Sequence, residues 1–320
     1  MFSAHDITGL ICPMITPFGP QGAIDPPAMR GLADFLLARG VDVLFPCGTT
    51  GEGMLLDLTE RRRLAETVVE HAAGRAPVMI HTGCITTADT IALTRHAKSC
   101  GATAASVITP YFHALDDDSL FEHFRAVAAS VPDFPIFLYA FPANARNNIS
   151  PDLVKRLRAA APNIVGMKSS NSDMLRFQEY LKAGGEKFIV LCGVDGLMLP
   201  ALAVGAKGQV SGNANVFPEL FADLRRAFFA GDMETARAKQ RTINEVRGVL
   251  KDGLHPAYFK AALEMRGVHC GRVRPPMRAL SPQELGAMRS ALSELGLFNG
   301  GDGSPSLGKT EPARGKESQV

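Results

Sequence analysis

Charge of one sign is not in excess. The 320 residues hold 34 Lys and Arg against 32 Asp and Glu, a net charge of +2. That leaves no broad electrostatic footprint for nucleic acid or an anionic membrane surface. Long apolar runs are also missing, and none approaches the roughly 20 residues that span a bilayer. The first residues lack a basic segment followed by an apolar stretch, so no signal peptide is read there. Paired cysteine spacing is absent as well. Cys12, Cys47, Cys84, Cys100, Cys192 and Cys270 are scattered, with no CxxC and no metal-type pattern. This speaks against a disulfide framework or a zinc site and suits small apolar thiols in a reducing, cytoplasmic setting.

What is present is ordinary globular material, 46% hydrophobic and 21% charged, enough to bury a sizeable core. Apolar runs of strand length recur at 9–16, 41–46, 77–82, 103–109, 135–141, 163–168, 187–192 and 207–211, most of them followed by a helical pattern. Eight such units predict an α/β chain folded as a (β/α)8 TIM barrel, where an open doubly wound sheet would usually use fewer strands.

Helix starts are well marked. Asp25-Pro26 and Ser150-Pro151 each place a cap before a proline at the first helical position. Asp57 with Glu60, and Ser281 with Glu284, have capping-box spacing ahead of 58–73 and 282–294. Further helical patterns lie at about 216–230, 232–251 and 255–267. One of these completes the barrel and the others form a helical C-terminal extension. The division expected is a barrel over 1–230, the extension over 231–297 and a disordered tail over 298–320, whose Gly, Ser, Pro and charge offer little to bury. The Arg61-Arg62-Arg63 cluster reads as a solvated helix face.

In such a barrel, chemistry belongs at the C-terminal ends of the strands and the loops after them. The sixth strand ends at Lys168. A lysine in a dry barrel mouth has its charged form disfavoured, and a neutral amine attacks ketones to form an imine that acts as an electron sink. A strand-end lysine that merely snorkels to solvent is the plainer alternative. After the second strand comes Gly48-Thr49-Thr50-Gly51-Glu52-Gly53. Its glycines allow close backbone approach and its threonines add hydroxyls, a nest suited to a carboxylate or phosphate, or simply a tight turn. It is not a P-loop, because no GK[ST] follows. Tyr139, one of four tyrosines, ends the fifth strand, where its hydroxyl can carry a proton or be satisfied in a core. His81 ends the third strand with no metal-type set around it and reads as structural or supporting. The convergence of a nucleophile, an anion nest and a proton carrier on one face outweighs each alone.

These stretches together resemble the dihydrodipicolinate synthase / N-acetylneuraminate lyase family of class I, pyruvate-using aldolases. The resemblance runs over about residues 7–295 and rests on GLICPMITPFGPQGAID, GTTGEG, VITPYF, FLYAFP, IVGMKSS and GAKGQVSGNANVFP. It implies that Lys168 forms the imine with a keto acid and that Thr49 and Thr50, with Gly48 in their loop, hold its carboxylate. It further implies that Tyr139 relays protons and that the Val210 carbonyl lines the pocket. The implied partners are pyruvate and an aldehyde, with no external cofactor and no metal, in a homo-oligomer that would be a tetramer by resemblance.

The chain also departs from the family pattern. Phe112 stands where many members place a relay tyrosine. Asn144 stands where dihydrodipicolinate synthases usually carry an arginine for the second substrate, with Arg146 two places on. Gly196 follows Asp195 where sugar-acid lyases usually show Asp-Glu. The reading is therefore a lyase making or cleaving a bond next to a pyruvate unit, on a 2-keto-3-deoxy acid or related keto acid. A dehydratase using the same imine, 4-hydroxy-tetrahydrodipicolinate synthase itself, and a catalytically impaired keto-acid-binding paralogue are the alternatives.

Overall fold

The computed structural model describes residues 2–253 and 255–298. Eight parallel strands appear: β1 (Gly9–Pro13), β2 (Val43–Phe45), β3 (Met79–His81), β4 (Ala104–Ile108), β5 (Ile136–Ala140), β6 (Ile164–Ser169), β7 (Ile189–Cys192) and β8 (Gly208–Val210). They pair in the order β2-β1-β8-β7-β6-β5-β4-β3. A parallel bridge between Leu44 and Val78 joins the two ends, with the His81 amide donating to the Pro46 carbonyl at 3.2 Å. The barrel is thus closed and leaves no free edge. Each expected strand is present, trimmed at one or both ends. The first run, for instance, leaves the ladder after Pro13, although Met14, Ile15 and Thr16 remain buried.

Alternation along the strands sorts two cores. Leu10, Cys12, Leu44, Ile80, Val107, Leu138, Met167 and Val190 face the helices. Ile11, Val43, Phe45, Met79, Ala104, Phe137, Ile189, Leu191 and Val210 pack inside the barrel. A Cβ on Gly166 would meet the Phe137 ring at 2.4 Å. The glycine thus lets that ring fill the interior one layer below Lys168.

The barrel helices are α1 (Pro26–Leu37), α2 (Leu58–Ala72), α3 (Thr87–Ser99), α4 (Asp117–Ala129), the short α5 (Pro142–Ala145), α6 (Pro151–Ala160), α7 (Met174–Gly184), α8 (Met198–Ala203) and α9 (Pro218–Phe229). The caps fall where the sequence puts them. Asp25 accepts from the Ala28 amide, Ser150 from Leu153, and Asp57 and Glu60 close a reciprocal box. Beyond α9 come α10 (Met233–Val249), α11 (Pro256–Met265) and α12 (Pro282–Glu294), the last opened by the Ser281–Glu284 box. No helix among the described residues is long and apolar enough to cross a membrane.

Two expectations need correction. Arg61 is not on a solvated face. It is buried, donating to the carbonyls of Gly83 and His81 at 3.1 and 2.8 Å and approaching His81 Nδ1 at 3.1 Å. Its helix turns that side chain inward onto the exit of β3, where unpaired carbonyls supply acceptors. Phe298, assigned to the tail, is 3% exposed and meets the Phe217 ring edge-on at 5.8 Å. A single aromatic adds enough apolar area to dock. The remaining tail, 299–320, lies outside the described residues.

Candidate active site

Strand pairing builds the centre of the site. Tyr139 on β5 and Lys168 on β6 are register partners, so both side chains leave the same inward column at the same height. Lys168 is 6% exposed, and its Nζ lies 4.0 Å from the Tyr139 ring centroid and 5.3 Å from that of Phe45. Both line a cavity of about 540 Å³ at the C-terminal mouth, together with Thr49, Thr50 and Val210. Gly193, at the exit of β7, makes room for the lysine. A Cβ there would stand 3.0 Å from Lys168 Cε and 2.3 Å from Ser170 Oγ.

The loop after β2 presents open donors. The amides and hydroxyls of Thr49 and Thr50 have no hydrogen-bond partner among the described residues, although both side chains line the cavity. Gly48 does not line it. Its carbonyl instead accepts from the Gly51 and Gly53 amides at 3.1 and 3.0 Å, holding the turn that exposes the threonines. A Cβ on Gly53 would lie 2.0 Å from the Cys47 carbonyl oxygen, so the turn closes only around glycine. Glu52, held at φ 57°, anchors the loop from behind. Its Oε1 pairs with Lys260 Nζ of α11 at 2.8 Å, with side chains 0% and 3% exposed. Its Oε2 accepts from the Arg274 amide at 2.8 Å. Burial pulls the Lys260 ammonium below its ordinary range, against the opposing pull of Glu52.

Around this centre the charges are arranged with care for desolvation. His81 is fully buried, and its pKa is driven well below the usual range, first by burial and then by the Arg61 and Lys168 charges. Arginine only donates, so Nδ1 of the neutral ring accepts from Arg61 and the proton resides on Nε2. The ring meets Tyr139 edge-on at 6.0 Å, a supporting position outside the cavity lining. Asp195 accepts from Gln209, Ser211 and Asn213 at 2.9, 2.8 and 2.6 Å. Burial raises its pKa, opposed by those three bonds. Its oxygens are committed to the exit of β8 and are not held open for a ligand.

The residues that depart from the family pattern also have definite places. Phe112 is 76% exposed at φ 79° and does not line the cavity. Tyr111 is half-buried and packs with Ile108 and Tyr139. Asn144 lines the cavity, whereas Arg146 is exposed and does not. Arg247, Gly193 and Lys260 carry parts of the site that no motif marks. Their one trace in the sequence is a glycine after an apolar strand, and strand exits far from any site carry glycines too. Among the described residues, no group of three or more His, Cys, Asp or Glu could hold a metal ion.

Residues 6–295 match the Dihydrodipicolinate synthetase family. The chain belongs to that family. A 4-hydroxy-tetrahydrodipicolinate synthase from Thermomicrobium roseum is 38% identical over 287 residues, covering 90% of this chain and 94% of the relative. Two solved structures each superpose with a TM-score of 0.87. One is a prophage protein of the dihydrodipicolinic acid synthase family from E. coli K12 in complex with pyruvate, 31% identical, covering 91% of this chain and 99% of that one. The other is a sialic acid aldolase from Ruminococcus gnavus, solved as a catalytic lysine mutant, 26% identical over 92% of this chain and 97% of that one. Family members are carbon–carbon lyases of the class I, pyruvate-dependent type, and this chain is one of them.

Proposed function

We propose that Lys168 is the imine-forming nucleophile, acting on 2-keto-3-deoxy acids or related keto acids. The observation that carries this reading is the buried Lys168 ammonium group over the Tyr139 ring, in one cavity with the open donors of Thr49 and Thr50. The neutral amine adds to the C2 carbonyl, and water leaves as the protonated imine forms. Thr49 and Thr50 hold the adjacent carboxylate. Removal of the C4 hydroxyl proton then breaks the C3–C4 bond. Its electron pair moves onto the imine as an enamine, and an aldehyde departs. Protonation at C3 and hydrolysis release pyruvate and regenerate the amine. Tyr139 is the proton carrier in this scheme, as its hydroxyl has no protein partner among the described residues. The relatives support it: one neighbour binds pyruvate and another has a catalytic lysine.

Incubation with pyruvate and borohydride tests the proposal. A covalent mass increase is expected in the wild type and none in Lys168→Ala. Equal labelling of both would sink it. The name of the Thermomicrobium relative favours a second reading, condensation of pyruvate with aspartate semialdehyde. Asn144 in the cavity, with Arg146 outside it, counts against that. A screen of 2-keto-3-deoxy acids beside aspartate semialdehyde separates the two. A cytoplasmic homotetramer belongs to the same proposal, and light scattering after size exclusion checks its mass.

A further inference from the structure

Arg247 belongs to α10, in the C-terminal extension, yet it lines the same cavity as Lys168. The reason is space. Gly196 follows Asp195 at the exit of β7. A Cβ on it would stand 2.1 Å from Arg247 Nη1 and 3.0 Å from Cζ, with Asn244 Oδ1 at 3.3 Å. The guanidinium fills volume that any side chain at 196 would claim.

The guanidinium is held loosely. Its Nη2 is 2.8 Å from Asp252 Oδ1, with side chains 26% and 53% exposed. Beyond that ion pair it donates no hydrogen bond to a described residue. A partly solvated pair of this kind is weak and easily exchanged. Among the described residues lining the cavity, Lys168 and Arg247 are the only cations. Lys168 is assigned to the keto carbon. The lining acids are all committed: Glu52 to Lys260 and the Arg274 amide, Asp195 to three donors, Asp252 to Arg247.

We propose that Arg247 receives a carboxylate at the end of the substrate remote from the keto acid, so that the preferred substrates are dicarboxylic keto acids. This rests on the imine reading of Lys168 and adds the chemistry of the aldehyde half. The planar fork of an arginine matches a carboxylate in a bidentate pair. Asp252 already pairs with the guanidinium, so an incoming carboxylate takes the place of that exposed partner. A phosphate dianion in the same place would bring twice the negative charge against one guanidinium.

Equilibrium binding isolates this step from catalysis. 2-Oxoglutarate, 2-oxoadipate and 2-oxopimelate are each titrated against the 2-oxo monoacid of equal length, with a phosphonate-tipped analogue as a further probe. The proteins are the wild type, Arg247→Ala and Gly196→Ala. For at least one length, the wild type is expected to favour the dicarboxylate by roughly 10- to 100-fold, the range of a charged hydrogen-bonded contact. That ratio should fall close to one in Arg247→Ala. It should also drop in Gly196→Ala, where the new methyl group displaces a flexible side-chain end and the fold is retained. No preference at any length, a preference surviving Arg247→Ala, or a stronger preference for the phosphonate would each overturn the proposal. The wild-type pyruvate adduct is read separately. Its absence would defeat the imine reading and leave the Arg247 comparison intact.

Discussion

Replacing Lys260 by methionine removes one half of an ion pair sealed between the loop after β2 and α11. The Glu52 and Lys260 side chains are 0% and 3% exposed and 2.8 Å apart, and Lys260 also donates to the Arg272 carbonyl at 2.9 Å. Methionine fills the volume above the Phe18 ring, which the ammonium group now overlies at 4.2 Å, so the main cost is the unpaired buried carboxylate. Breaking such a pair costs about 3–5 kcal/mol. With an unfolding entropy near 2.1 cal/mol/K per residue, a chain of this length loses about 4–7 °C in melting temperature. The sequence has no tryptophan, so far-ultraviolet circular dichroism is the suitable probe. Glu52→Gln in the Lys260→Met background should restore part of the loss, because the carboxylate charge is then gone. Glu52 also anchors the turn that presents Thr49 and Thr50, so the pyruvate concentration for half-maximal borohydride trapping should rise in the single variant. A melting temperature within a degree of wild type, with trapping unchanged, would refute the assignment of this pair as the anchor of the loop.

Three further outcomes follow from the same geometry. Gly193→Ala puts a methyl group 3.0 Å from Lys168 Cε, and single-turnover trapping should slow by about 100-fold, as expected for an ångström-scale misplacement, with little change in melting. Tyr139→Phe should lower kcat on a cleaved keto acid by about 100- to 10,000-fold, and a rate near wild type would remove Tyr139 as the proton carrier. His123 is buried with its pKa lowered from 6.5 to about 4 by desolvation. The unfolded chain takes up that proton at the higher pH and the folded chain only at the lower. Stability is therefore full above pH 6.5 and falls as pH drops toward 4, by up to about 3 kcal/mol. His123→Gln should flatten that part of a denaturation-against-pH profile, and an unchanged slope would refute the account.

Much of this could be read from the sequence because the informative signals were local. Eight apolar runs specified eight strands, and Asp25, Asp57, Ser150 and Ser281 marked helix starts by side-chain bonds to amides three residues on. Lys168, Tyr139 and Val210 stood at strand ends and Thr49 and Thr50 in the loop after β2, where barrel topology gathers them at one mouth. What escaped was set by partners distant in sequence. Arg61 looked like surface charge because its acceptors lie 20 and 22 residues away. Lys260 and Arg247 lay in amphipathic helices whose inward charged residues look like any others. Gly48 lies outside the cavity lining because its carbonyl is spent on the turn, accepting from the Gly51 and Gly53 amides.

The tie between Glu52 and the Arg274 amide spans 222 residues of sequence, and it gives the site a place in time as well as in space. During synthesis at roughly 5–20 residues per second, all eight strands and Lys168 emerge before the segments that brace the threonine loop. A nascent chain halted after α9 would carry Lys168 but lack Arg247, Lys260 and Arg274. The threonine loop is therefore braced late, as translation nears its end, and a fragment ending in the barrel would hold Lys168 beside a loop with nothing behind it.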